Sequence, residues 1–154
     1  MKNINLKNKD IVLFYNVLDN LIVEGYKPKR GKGRLQKSLK EKEIEYVDDL
    51  NNIRNDYFEK TEDGKYKQDQ KGNIVWLDKY KNDKDAKEKA NEQIKELLDD
   101  DVVIPLVEHE SKIRSFYDAI LKDEFTSKNE LRDEDFETLI EALEEVFENN
   151  KEDK

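Results

Sequence analysis

Apolar residues recur in narrow stripes through a chain that is otherwise densely charged, and this spacing restricts the fold more than any other feature. From about Arg34 to Lys60 the recurrent apolar positions are Leu35, Leu39, Tyr46, Leu50, Ile53 and Tyr57. Leu39, Tyr46 and Ile53 lie seven apart, with Leu50 and Tyr57 as a companion row, which predicts a helix carrying a short coiled-coil seam. Of the residues, 44% are charged and 35% hydrophobic, against about 25% and 45–50% in an average soluble domain. Helices this thin in apolar surface are not stable alone and must pack on one another. A mainly helical α+β fold with a small core is therefore expected.

The remaining elements follow from the same reading. Asn3-Ile4-Asn5-Leu6 alternates polar and apolar residues as a half-buried strand does. Asn8 precedes a helix whose apolar positions, Ile11, Phe14, Val17, Leu18, Leu21 and Ile22, are spaced by three and four, and which Gly25, Pro28, Gly31 and Gly33 should stop. Asp63-Gly64 and Lys71-Gly72-Asn73 are turn signals before Ile74-Val75-Trp76-Leu77, so a small β-hairpin or paired extended loop is placed at about 62–78. Another amphipathic helix runs from about Asp83 to Asp99, with Ala86, Ala90, Ile94, Leu97 and Leu98 inward. The β-branched run Val102 to Val107 reads as a strand, with Pro105 at a sheet edge or strand end. Two helices close the chain, marked by Ile113, Phe116, Tyr117, Ile120 and Leu121, and by Phe136, Leu139, Ile140, Leu143 and Phe147. The expected organisation is an α+β body of residues 1–33 and 100–150, with the N-terminal strand beside the strand near 102–107. An antiparallel helical arm of residues 34–99 carries the hairpin at its tip. Residues 149–154 should fray. The same heptads can pair within one chain or join two, so a homodimer through the arm stays open.

Charge is divided along the chain. Residues 1–42 carry eleven Lys/Arg and four Asp/Glu, a balance of +7, while residues 43–154 carry −16, for a total of −9. Lys27 to Lys37 holds six Lys/Arg in eleven residues, with Tyr26 beside it. Such a loop, through Lys27, Lys29, Arg30, Lys32 and Arg34, can grip nucleic-acid phosphates, pair with the acidic C-terminal helix, or only solubilise the chain. Net acidity weighs against nucleic acid. The last helix opens with Asp133, Glu134 and Asp135, where the helix dipole favours negative charge, and continues with Glu137, Glu141, Glu144 and Glu145. Rows of carboxylates can imitate spaced phosphates in a partner's nucleic-acid cleft, or simply face water. Trp76 and Tyr80, at the expected arm tip, are candidate partner anchors, with packing on the arm's own helices as the alternative.

Chemistry is harder to place. The lone histidine, His109, lies between Glu108 and Glu110 with no second His and no HExxH spacing, so a loop residue is favoured over a metal ligand or general base. Ser111 and Ser115 lack any nucleophile elbow. Asp69 to Asn73 lacks the alternating oxygen ligands and closing Glu of a calcium loop, and Gly31-Lys32-Gly33 lacks the spacing of a phosphate loop. No cysteine is present, which removes disulfides, thiol nucleophiles and thiolate zinc sites. No catalytic residue, cofactor or metal is assigned, and no enzyme activity is expected. No stretch reaches the ~18–20 apolar residues that span a bilayer, and no charged-then-apolar leader opens the chain, so a protein retained in the cytoplasm is expected.

The order of parts carries a resemblance. Leu6-Lys7-Asn8-Lys9-Asp10 leads into an apolar helix; Tyr57-Phe58-Glu59-Lys60 precedes the turn Glu62-Asp63-Gly64-Lys65 and Gly72-Asn73-Ile74. Ile94-Lys95-Glu96-Leu97-Leu98 precedes an acidic-to-β-branched strand, and Asp133-Glu134-Asp135-Phe136-Glu137-Thr138-Leu139 opens the last helix. This resembles the family of Gram-positive-phage proteins described only as domain of unknown function 1617. The resemblance covers most of the chain, implies a phage or prophage origin with the host cytoplasm or the virion as location, and supplies no functional residues; the basic stretch 27–37 has no counterpart in its pattern. The function expected is a non-enzymatic module that binds a host or phage protein, for instance an inhibitor of a host defence or nucleic-acid-processing protein through its acidic face. The alternatives are a nucleic-acid-binding accessory protein using residues 27–37 and a structural or assembly protein of the phage tail.

Overall fold

The computed structural model describes residues 2–148. In order the elements are β1 (Asn3–Lys7), α1 (Ile11–Asn20), β2 (Leu21–Val23), α2 (Tyr26–Asn55), α3 (Lys84–Asp99), β3 (Asp101–Pro105), α4 (Glu110–Leu121), β4 (Phe125–Ser127) and α5 (Asp133–Phe147), with single 3-10 turns at Asn8–Asp10 and Asp78–Tyr80. The fold is mainly helical α+β, and among the described residues the strands form two separate antiparallel pairs. Two compact units are resolved, one of residues 2–43 and 101–148, the other Ile44–Asp100. The expected fraying of residues 149–154 lies outside the described residues.

In the first unit, β1 pairs with β3 so that Ile4 faces Ile104 and Leu6 faces Val102. All four are buried while their chain neighbours are not, the alternation that a two-stranded sheet with one covered face requires. Pro105 closes β3 opposite Asn3, where its missing N–H costs least. Phe14, Val17 and Leu18 of α1, Leu139 and Leu143 of α5, and Phe116 and Tyr117 of α4 complete the core. Tyr117 stacks on Phe147 with ring centroids 5.4 Å apart.

Two expectations are corrected here. The first helix does not run through Ile22. It begins at Ile11, after the 3-10 turn, and ends at Asn20, because Leu21-Ile22-Val23 pairs with Phe125–Ser127, a strand absent from the sequence reading. Asn20 ties this junction: its side chain donates to the Asn129 carbonyl at 3.2 Å and accepts from the Asn129 amide at 2.8 Å, while its own carbonyl accepts from the Lys128 amide.

The second correction concerns residues 27–37, which are the opening turns of α2 and not a loop. Pro28 is tolerated because its missing N–H falls in the first turn, where amides have no partner within the helix. Gly31 is buried there for a tertiary reason. A Cβ at Gly31 would stand 2.1 Å from the carbonyl oxygen of Lys112 and 2.9 Å from the Cα of Ile113, so the glycine is what lets α2 lie directly on the start of α4.

In the second unit, α2 ends at Asn55, short of the expected Lys60, and the expected hairpin becomes three paired segments joined by two tight turns. The Glu59 amide donates to the Val75 carbonyl, Val75 to Lys67, and Lys67 to Glu59, closing a ring of three hydrogen bonds of 2.8 to 3.0 Å. Both turns have one design. The Thr61 and Asp69 amides each donate to the carbonyl four residues further on, their own carbonyls accept from the amides of Gly64 and Gly72, and both glycines sit at φ +83. Asp69 Oδ1 accepts from the Lys71 and Asn73 amides, so this carboxylate serves the turn. Helix α3 starts where expected, with Asp83 capping the Ala86 amide at 3.1 Å.

Candidate functional site: two opposed charged faces of the first unit

Helix α5 places its apolar residues inward at Leu139, Leu143, Val146 and Phe147, and this leaves its carboxylates outside. Asp133, Glu134, Glu137, Glu141, Glu144 and Glu145 are all exposed. Arg132 reaches Glu134 at 3.2 Å and Asp135 at 3.9 Å, at the first turn of the helix. Ile120 and Leu121 from the end of α4, with Phe136 and Ile140 from α5, floor an open groove of about 370 Å³ whose edge carries Asp133 and Glu137. Leu121 is 53% exposed. The groove thus joins apolar surface to two exposed carboxylates.

The start of α2 presents the opposite charge. Tyr26, Lys29, Arg30, Gly33, Arg34 and Lys37 line an open depression of about 550 Å³. Their spacing of three and four places them on one helix face. Gly33 has nothing within 4 Å of the position its Cβ would take, which leaves the middle of that face open. Two of the five cations singled out from the sequence stand apart from the depression. Lys27 is exposed but does not line it. Lys32 turns toward the fold and donates from Nζ to the Leu21 carbonyl at 2.5 Å; partial burial holds its pKa below the usual lysine value, helped by the nearby Lys128 and opposed by Asp19. Lys37, absent from that set of five, belongs to the face. It becomes legible once Gly31 and Gly33 are read as helical, because the basic run then continues with a helix period.

The other candidates are placed differently. Trp76 and Tyr80 are half-buried inside an aromatic group of the second unit: Trp76 lies 4.4 Å from the Phe58 ring and 6.4 Å from Tyr57, and Tyr80 lies 5.4 Å from Tyr57. Lys87 Nζ stands 5.6 Å over the Trp76 ring. Tyr57 itself is buried and donates its hydroxyl to Gln93 of α3 at 3.3 Å, so these rings hold the paired segments to the helices. His109 opens α4; its carbonyl accepts from the Ile113 amide, and its buried Nδ1 has no hydrogen-bond partner. Among the described residues no group of three or more His, Asp or Glu side chains is placed to hold a metal ion. No helix among them is long and apolar enough to cross a membrane.

Compared with known families, residues 2–154 match the one described as "Protein of unknown function (DUF1617)". The chain belongs to this family. The match spans both units, residues 27–37 included. No curated protein and no solved structure matches this DUF1617 chain.

Proposed function

We propose that this DUF1617 protein is a non-catalytic, phage-encoded interaction module, and that the groove between α4 and α5 receives a partner segment bearing an apolar side chain flanked by Lys or Arg. The observation that carries the reading is the joining of an apolar floor, Ile120, Leu121, Phe136 and Ile140, to the exposed carboxylates of Asp133 and Glu137. An amphipathic helix laid in such a groove would bury its apolar stripe on the floor and set its cations against the rim. The further carboxylates along α5, Glu134, Glu141, Glu144 and Glu145, extend the negative field beyond the groove and would steer a basic partner toward it. Basic clefts of this kind belong to proteins that handle nucleic acid, and this makes a host defence or nucleic-acid-processing protein the partner class with the best charge match.

The test uses the full chain and a helix-forming peptide of about 14 residues with Leu at helical spacing and Lys elsewhere. Amide resonances of Ile120, Leu121, Phe136 and Ile140 should shift on titration, and Asp133→Lys with Glu137→Lys should weaken binding by about tenfold or more. A peptide with Glu in place of Lys should not bind. Absence of shifts in α4 and α5, or equal affinity of the charge-reversed variant, refutes the proposal.

A further inference from the structure

The other charged face is independent of that groove, and its chemistry is different. Between Gly25 and Lys40 the chain holds seven Lys/Arg and no carboxylate, so despite a net charge of −9 the start of α2 is locally and uniformly basic. Four of these cations, Lys29, Arg30, Arg34 and Lys37, border one depression. Over roughly 12 Å of helix axis they form a cationic track, with an aromatic ring one turn before it. That ring, Tyr26, is 70% exposed, more than any other large hydrophobic residue among the described ones. Arg34 adds a local signal: its Nε–H is buried and has no hydrogen-bond partner, while the side chain lines the depression. A buried donor without an acceptor is costly unless a ligand supplies one. Gly33 keeps the floor of the track flat where any larger residue would fill it.

Cations following a groove, with an aromatic ring beside them and no carboxylate among them, match the backbone and the base of a single-stranded nucleic acid. A duplex presents its bases stacked inside, leaving Tyr26 without a partner. An acidic protein segment would satisfy the cations but not the ring. We infer that the Tyr26–Lys37 face of α2 binds single-stranded nucleic acid, with Lys29, Arg30, Arg34 and Lys37 on phosphates and Tyr26 stacked on a base. Lys32, held on the Leu21 carbonyl, takes no part.

The experiment titrates the full chain into a fluorescein-labelled oligothymidylate of about 16 nucleotides at about 50 mM salt, read by anisotropy. Saturable binding is expected, with log K falling against log salt at a slope of roughly −3, the value for four phosphate contacts on a single strand. Lys29→Glu with Arg30→Glu should reduce affinity at least tenfold, whereas Lys84→Glu with Lys89→Glu on α3, an equal change in net charge, should leave it within about twofold. Tyr26→Ala should lose roughly five- to hundredfold through stacking. Gly33→Leu should raise the unfolding temperature, because leucine is the better helix former, yet weaken binding by filling the track. Absence of binding at low salt, an equal loss in the α3 control, unchanged affinity of Tyr26→Ala, or a duplex of the same length binding more tightly than the single strand overturns the inference.

Discussion

Gly31 and Gly33 are two residues apart on one helix, and the structure gives their alanine substitutions opposite signs. Glycine costs a helix interior about 1 kcal/mol relative to alanine, so by propensity alone each change stabilises. At Gly33 nothing opposes the gain, since the new Cβ meets no atom within 4 Å. At Gly31 the Cβ would stand 2.1 Å from the Lys112 oxygen, 2.6 Å from its carbonyl carbon and 2.9 Å from the Ile113 Cα. All three are backbone atoms, so no side chain can rotate away. Restoring ordinary contact at 3.4 Å requires α2 and α4 to separate by about 1.3 Å. That displacement would loosen the packing of Leu35 and Ile113, each only 3% exposed. Overpacking of this severity lies at the upper end of the usual range, about 3 kcal/mol, and the propensity gain returns about 1, leaving Gly31→Ala about 2 kcal/mol less stable than the parent. For a chain of this size, that is a fall of about 4–8 °C in Tm, against a rise of about 2–4 °C for Gly33→Ala. Urea titration of both variants, followed by far-ultraviolet circular dichroism, measures the gap directly. Equal stability of the two variants would refute the close approach of α2 to α4 and the reason given for a glycine at position 31.

Gly64→Ala and Gly72→Ala should each destabilise the paired segments by about 1 kcal/mol, because both positions sit at φ +83, where a Cβ is strained. Hydrogen exchange of the Lys67 and Val75 amides, both in the three-bond ring, should speed up by about fivefold in either variant; unchanged exchange would argue against the ring. Above pH of about 10, stability should fall. Burial, then the carboxylates of Glu148, Glu144 and Asp118, raise the Tyr117 pKa, so in that range the unfolded chain loses this proton first and binds fewer protons than the folded one. Stability is therefore lost as pH rises, and Tyr117→Phe should flatten the loss relative to the parent. The comparison has to be made between those two chains, since Lys32, with its lowered pKa, contributes with the opposite sign just below its unfolded value. An identical alkaline slope in both would show that Tyr117 is not the group responsible.

The elements legible in the sequence are those whose signal is local. The alternation in Asn3-Ile4-Asn5-Leu6 and the β-branched run from Val102 belong to strands that pair with one another, as expected. Asp83 at the head of α3 and the acids in the first turn of α5 mark helix starts that the structure places within a residue of the reading. What misled was local chemistry with a distant cause. Gly31 and Gly33 carry the composition of a loop, yet the first answers to the Lys112 carbonyl of another helix and the second to open solvent. Leu21-Ile22-Val23 continues the helical apolar spacing, but its partner strand lies over a hundred residues away, beyond any local pattern. The tandem turns did leave a readable trace, Thr61 and Gly64 followed eight residues later by Asp69 and Gly72, which a search for short repeats would have found.

The charged faces divide in the same way. Their existence and sign were settled by the sequence, because carboxylates and ammonium groups go to water whenever a helix has any apolar stripe to bury. Which charges act together was decided by the tertiary structure. The groove beside Asp133 and Glu137 exists because α4 ends against α5 with Leu121 uncovered. Lys29, Arg30, Arg34 and Lys37 share a face because residues 26–37 are helical, with Gly31 against the start of α4, while Lys32 is held apart on the Leu21 carbonyl. Composition sets how much charge a chain must solvate; only the contacts between distant segments determine which charges are left side by side.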